Sequence, residues 1–207
     1  MKTNILQFNN DLAFKKAIET LQAGGLIAFP TDTVYGLACD LWNEKAIEKI
    51  YAAKARSKEK PLPILIGKFD QLQTVVELSQ INNSTTELIR HFWPGALTVI
   101  LPKVRNLPKN LSPFPTVGIR MPNHPRLLEL LAQTGPLAVT SANQSGKDNP
   151  TTAQAVFEQL QGRIELILDG GETNSDIPST VIASDSDGYR VLREGAITQG
   201  ELQSLFQ

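Results

Sequence analysis

Apolar residues recur at helical spacing after Asp11, at Leu12, Ala13, Ile18 and Leu21, and the pair Gly24-Gly25 stops the run. This pattern predicts a helix capped by Asp11. Residues 26–29 then read as a buried strand. Ala46, Ile47, Ile50, Tyr51 and Ala53 keep the helical period again. That period sets Lys54 and Arg56 at the C-terminal end of the helix, where its dipole favours cations. A helix over 85–92 leads into a strand over 97–101, and strands over 117–121 and 137–139 are divided by a helix over 125–133. A final set follows: a helix over 153–160, a strand over 164–168, two strands within 180–191 and a helix over 197–206. Helices and strands alternating at this pace predict an α/β architecture. Residues 103–116 carry Pro108, Pro113 and Pro115 between apolar strands, so they read as a surface loop rather than a domain linker.

Composition narrows the picture in three ways. A chain of 207 residues can bury a substantial core without metals or disulfides, and one domain spanning 1–207 is expected. A formal net charge of −1 excludes a general positive coat for bulk nucleic-acid binding, so any such role must rest on a local patch. Cys39 is the single cysteine, which rules out an intramolecular disulfide and fits a small buried residue in a reducing cytosol. Residues 1–10 hold too short an apolar run for a signal peptide, and no segment approaches the ~18 apolar residues of a membrane span. A cytoplasmic protein is expected.

Three polar stretches carry the chemistry. Lys54-Ala55-Arg56 followed by Ser57-Lys58-Glu59-Lys60 puts four cations within seven residues before the apolar run 62–66, the composition of an anion site. Pro30-Thr31-Asp32-Thr33-Val34-Tyr35-Gly36-Leu37 closes a strand with hydroxyls, a carboxylate and a glycine. Thr140-Ser141-Ala142-Asn143-Gln144-Ser145-Gly146 repeats the strand-to-polar-loop pattern. Asp32 reads as a turn or cap residue. Two histidines and no Ser/His/Asp order argue against a hydrolase triad, and His124 has no ligand-type residue at metal spacing, so no protein-held metal is expected. Arg120 sits inside the strand-like Val117-Gly118-Ile119-Arg120-Met121, where an unpaired buried cation costs several kcal/mol. It needs a carboxylate, supplied either by a substrate or by an internal Asp or Glu.

These stretches occur in order with Trp93-Pro94-Gly95, Gly118-Ile119-Arg120-Met121-Pro122-Asn123-His124, Ser179-Thr180-Val181 and Leu192-Arg193-Glu194-Gly195. Over about residues 24–195 the chain thereby resembles the YrdC-like family of L-threonylcarbamoyl-adenylate synthases. The resemblance implies a three-layer fold with a twisted mixed sheet around a concave, positively charged cavity, in the single-domain form because the chain ends at Gln207. It also implies adenylyl transfer: L-threonine, bicarbonate and ATP give threonylcarbamoyl-AMP and pyrophosphate, used by partner proteins for N6-threonylcarbamoyladenosine in tRNA. By resemblance, Lys54 and Arg56 form the catalytic pair. Arg56, Lys60, Thr116, Ser141, Asn143, Asn149 and Arg193 meet ATP, which arrives with Mg²⁺, while Thr33, Arg120, Val139 and Ser179 meet threonine. One departure stands out, since Leu65 occupies a place where many relatives carry histidine, which removes a polar substrate contact. Two further readings remain open. One is a module that grips double-stranded RNA or tRNA through Lys54, Arg56 and Lys60 without catalysis. The other is a carbamoyl-adenylate-forming relative, which would need acyl-phosphatase and zinc-finger regions that 207 residues cannot hold.

Overall fold

Alternation with a period of two decides which side of the sheet each residue covers. In the computed structural model, which describes residues 1–185 and 188–205, the strands are β1 (Asn4–Gln7), β2 (Ile27–Phe29), β3 (Gly36–Asp40), β4 (Ile64–Leu65) and β5 (Leu97–Pro102). They continue with β6 (Thr116–Arg120), β7 (Leu137–Ser141), β8 (Leu166–Asp169), β9 (Thr180–Asp185) and β10 (Gly188–Arg193). All ten join one mixed sheet in the order β1-β8-β2-β3-β7-β4-β6-β5-β9-β10. The pairs β1/β8, β2/β8, β4/β6 and β5/β9 run parallel, and the other pairs are antiparallel.

The helices are α1 (Asp11–Gln22), α2 (Glu44–Lys54), α3 (Asn83–Phe92), α4 (Pro125–Thr134), α5 (Ala153–Leu160) and α6 (Gln199–Ser204). Leu26 and Ala28 join one core cluster while Ile27 and Phe29 join the other, and Leu37 and Cys39 separate from Ala38 in the same way. The first cluster lies under α2, α3, α5 and α6, through Ile47, Ile50, Leu88, Val156 and Leu202. The second lies under α1 and α4, through Phe14, Ala17, Leu127, Leu130 and Leu131. The result is helices, sheet, helices.

The second face is covered only in part. α1 packs on β2, β3, β8 and α4, whereas Thr98, Ile100, Gly118, Arg120 and Val181, on β5, β6 and β9, line an open cavity instead. That uncovered stretch of sheet is the floor of the candidate site.

Several boundaries differ from the sequence expectation. Asn10 rather than Asp11 caps α1, its side chain accepting from Leu12 N at 2.8 Å. Asp11 instead binds Arg126 at 2.6 Å. Leu12 is 76% exposed, and Phe14 and Ala17 take the buried positions. β1 and β3 were not expected from the apolar pattern. All four β1 residues are exposed, so no alternation marks it. The last helix ends at Ser204 behind a Thr198–Glu201 capping box, and the expected end at Phe206 lies outside the described residues. None of the described helices is long and apolar enough to cross a membrane.

Candidate active site

Lys54 ends α2, and Ala55 follows it in the left-handed conformation (φ 50°, ψ 44°), with the Arg56 N–H returning to Tyr51 O at 2.9 Å. Such a residue closes a helix C-terminus, usually as glycine. Here it sends the two flanking cations to different places.

Lys54 is 1% exposed. Its Nζ donates to the backbone carbonyls of Ser141 and Asn143, and to Asn143 Oδ1 at 3.1 Å. All three N–H bonds of the ammonium are thereby spent on one loop. Ser141 Oγ donates to Asn143 Oδ1 at 2.5 Å, Asn143 Nδ2 donates to Lys147 O at 2.5 Å, and Ser145 N donates back to Lys54 O at 2.9 Å. Burial, and after it the Arg56 charge, pushes Lys54 down to about 7, while the three oxygens around Nζ favour its charged form.

Arg56 turns the other way, into a cavity of about 270 Å³ that it lines together with Arg120 and Arg193. It donates from Nε to Lys60 O at 3.3 Å and from Nη2 to Pro61 O at 3.0 Å, holding the basic loop in a tight turn. Arg193, at the end of β10, donates to Ser179 O at 2.8 Å. Burial pushes both guanidiniums down from their ordinary value.

Arg120 is 6% exposed at the end of β6. It donates from Nε to Gly95 O at 2.9 Å, from Nη1 to Thr33 Oγ1 at 2.9 Å and from Nη2 to Asp32 Oδ1 at 2.6 Å. Asp32 is therefore the internal carboxylate that the sequence left open, and not merely a turn residue. Neighbouring hydroxyls settle the polarity at Thr33. Thr31 donates its only hydroxyl proton to Val34 O at 2.8 Å, so in the 3.0 Å contact between Thr31 and Thr33 the Thr33 hydroxyl is the donor. Thr33 Oγ1 therefore has only acceptor capacity left for a ligand.

Of the residues expected at the site, Thr33, Arg56, Arg120, Val139, Ser141, Asn149, Ser179 and Arg193 line the one cavity, and Leu65 lines it as an apolar wall. Lys54 and Asn143 stand behind the lining. Lys60 is exposed beside it, and Thr116 sits at the far end of β6, where its carbonyl accepts from Ser112 Oγ at 2.9 Å. Lys58 turns away to pair with Glu48 on α2. Thr98 was missed by the sequence reading. It lines the cavity and shares a 2.8 Å hydrogen bond with Ser179 Oγ. Its signal was present, as a hydroxyl on the opposite face from Leu97, Val99 and Leu101 in an otherwise apolar strand.

The model of the Sua5_yciO_yrdC family, described as "Telomere recombination", matches residues 19–195. A threonylcarbamoyl-AMP synthase of Bacillus subtilis (strain 168) is 41% identical over 202 residues, covering 95% of this chain and 57% of the relative. The crystal structure of Pyrococcus abyssi Sua5 complexed with L-threonine superposes with a TM-score of 0.90 at 36% identity, covering 99% of this chain and 60% of that one. Escherichia coli YciO gives a TM-score of 0.84 at 25% identity, with 97% of this chain and 98% of that chain covered. The chain thus spans little more than half the length of the first two relatives.

Proposed function

This chain belongs to the Sua5/YciO/YrdC family, and we propose that it makes threonylcarbamoyl-AMP and pyrophosphate from L-threonine, bicarbonate and ATP. The observation that carries this reading is the gathering of Arg56, Arg120 and Arg193 with Thr33, Ser141 and Ser179 around one cavity. Adenylyl transfer between two anions requires such a place, because the reacting groups repel one another until fixed cations hold them together.

The threonine amine takes up the carbon of bicarbonate with loss of water, giving a carbamate. A carbamate oxygen then attacks the α-phosphorus of ATP, the bond to the bridging oxygen breaks, and pyrophosphate leaves with the electron pair. No protein nucleophile takes part. Arg120 and Ser179 hold the amino acid, with Val139 against it, while Thr33 accepts from its N–H or O–H. Arg56, Arg193, Ser141 and Asn149 meet the nucleotide. Lys54 and Asn143 serve from behind the wall by fixing the loop that presents Ser141. Lys60 and Thr116 lie outside the lining, with Lys60 exposed beside it to meet the outer phosphates. Mg²⁺ is assigned to the substrate as its ATP complex, held by phosphate oxygens and water.

On this reading residues 1–207 act as one domain. The adenylate passes to partner proteins that modify tRNA, any tRNA or double-stranded RNA contact falls on the exposed basic loop around Lys58 and Lys60, and the protein works in the cytoplasm. The test is pyrophosphate release by the purified protein with MgATP, expected only when L-threonine and bicarbonate are both present. Release that proceeds without threonine would sink the assignment.

A further inference from the structure

The reaction just described gives Asp32 no task, yet its carboxylate is the anion against which Arg120 is set. The Arg120 and Asp32 side chains are 8% and 15% exposed and meet at 2.6 Å. Asp32 and Thr33 come from the turn between β2 and β3, and Gly95 from the turn between α3 and β5. Contacts to two separate turns fix both the place and the plane of a rigid, planar guanidinium. Of its five N–H donors, three have partners among the described residues. Those left are one on each terminal nitrogen, and Arg120 lines the cavity while Asp32 does not.

We propose that Asp32 is a positioning residue for carboxylate recognition: it holds the Arg120 guanidinium in one orientation so that its two unspent N–H bonds face the carboxylate of the amino-acid substrate. This rests on the function proposed above. Charge points the same way. Burial works against the Arg120 cation, the Asp32 carboxylate supports it, and the nearby Arg193 works against it in turn. A pair kept only for stability would not need to border a cavity, since apolar residues of similar volume commonly stabilise a core as well as a buried ion pair.

The test separates positioning from chemistry. In the ligand-free protein, Arg120 Nε–H should give a sharp, slowly exchanging ¹⁵N signal, identified by its loss in Arg120→Lys. Asp32→Asn should broaden it or speed its exchange, and Asp32→Glu, which keeps the charge, should retain more of the protection. L-threonine titrated into Asp32→Asn should bind roughly 10–100-fold more weakly, as expected for a lost charge-assisted contact, with ATP affinity within about twofold of the parent. An Arg120 signal and a threonine affinity both unchanged in Asp32→Asn would overturn the proposal. So would an equal loss for threonine and ATP. If the parent protein itself ignores L-threonine while the Arg120 signal still depends on Asp32, the proposed reaction falls and the positioning of Arg120 by Asp32 stands.

Discussion

Lys54 and Asn143, 89 residues apart, meet twice, because Lys54 Nζ donates both to the Asn143 backbone carbonyl and to its side-chain Oδ1 at 3.1 Å. This contact ties the end of α2 to the loop that follows β7. Lys54→Met keeps the aliphatic stem and leaves the carbonyls of Ser141 and Asn143 without this donor, while Asn143 Oδ1 keeps the Ser141 hydroxyl. It should cost about 3 kcal/mol, each orphaned acceptor being worth about 1–3 kcal/mol less whatever the loop recovers by relaxing. For a protein of this size that is a fall in Tm of about 6–12 °C, readable by calorimetry. ATP affinity should fall with it, since Ser141 loses its support.

The same lysine predicts a pH dependence. Folding pulls Lys54 from about 10.4 in the unfolded chain down to about 7. Between those values the unfolded chain holds a proton that the folded one has released, so the contribution of this site to stability rises with pH, and below about 7 it is flat. The stability difference between the parent and Lys54→Met, taken from urea denaturation, should therefore move in favour of the parent from about pH 7 to about pH 9. A constant difference would mean that the three oxygens keep the ammonium charged throughout.

Ala55 is exposed and left-handed, so a substitution there tests the backbone almost alone. Ala55→Gly should stabilise the protein by about 1 kcal/mol, the usual penalty of this conformation for a residue with a Cβ. Ala55→Val should destabilise it. If both variants melt with the parent, the turn between Lys54 and Arg56 is not strained.

Arg120→Ala should weaken threonine roughly 10–100-fold and leave ATP nearly untouched, with Arg56→Ala biased the other way. Removing Arg120 also strands Asp32, at a cost of about 3–5 kcal/mol. The double variant Asp32→Leu/Arg120→Met should regain most of that stability while threonine binding stays lost. Recovery of threonine binding in the double variant would contradict the role given to Arg120.

Gly118 forms part of the cavity floor, and a Cβ there would meet Thr98 Cγ2 at 3.1 Å and Ile100 Cδ1 at 3.3 Å. Gly118→Val should crowd the floor and weaken both ligands, at a stability cost of about 1–3 kcal/mol for overpacking. Ligand affinities equal to the parent's in calorimetric titration would place the binding surface elsewhere.

The helices and most strands were legible because each declares itself within about ten residues. α2 shows its buried stripe at Ala46, Ile47, Ile50, Tyr51 and Ala53, and β5 is apolar enough to stand out unaided. β1 was not legible, because an edge strand exposed at all four residues has no buried face to impose alternation. The site divides in the same way. The polar stretches at 30–37, 54–60 and 140–146 could be picked out as candidate chemistry, but the division of labour within them could not.

What the sequence determined by itself was local: periodicity, caps, the polar punctuation between strands and the family resemblance carried by those motifs. What only the tertiary structure decided was who meets whom. Asp32 and Arg120 lie 88 residues apart, and Lys54 and Arg56 only two, yet the first pair touches and the second parts. The cause is strand order together with one left-handed turn. Placing β3, β7, β4 and β6 side by side brings the β2–β3 turn to the end of β6, and the reversal at Ala55 aims successive cations at different walls. Neither is written in the spacing of residues along the chain, because contacts at such separations exist only once the whole sheet has closed.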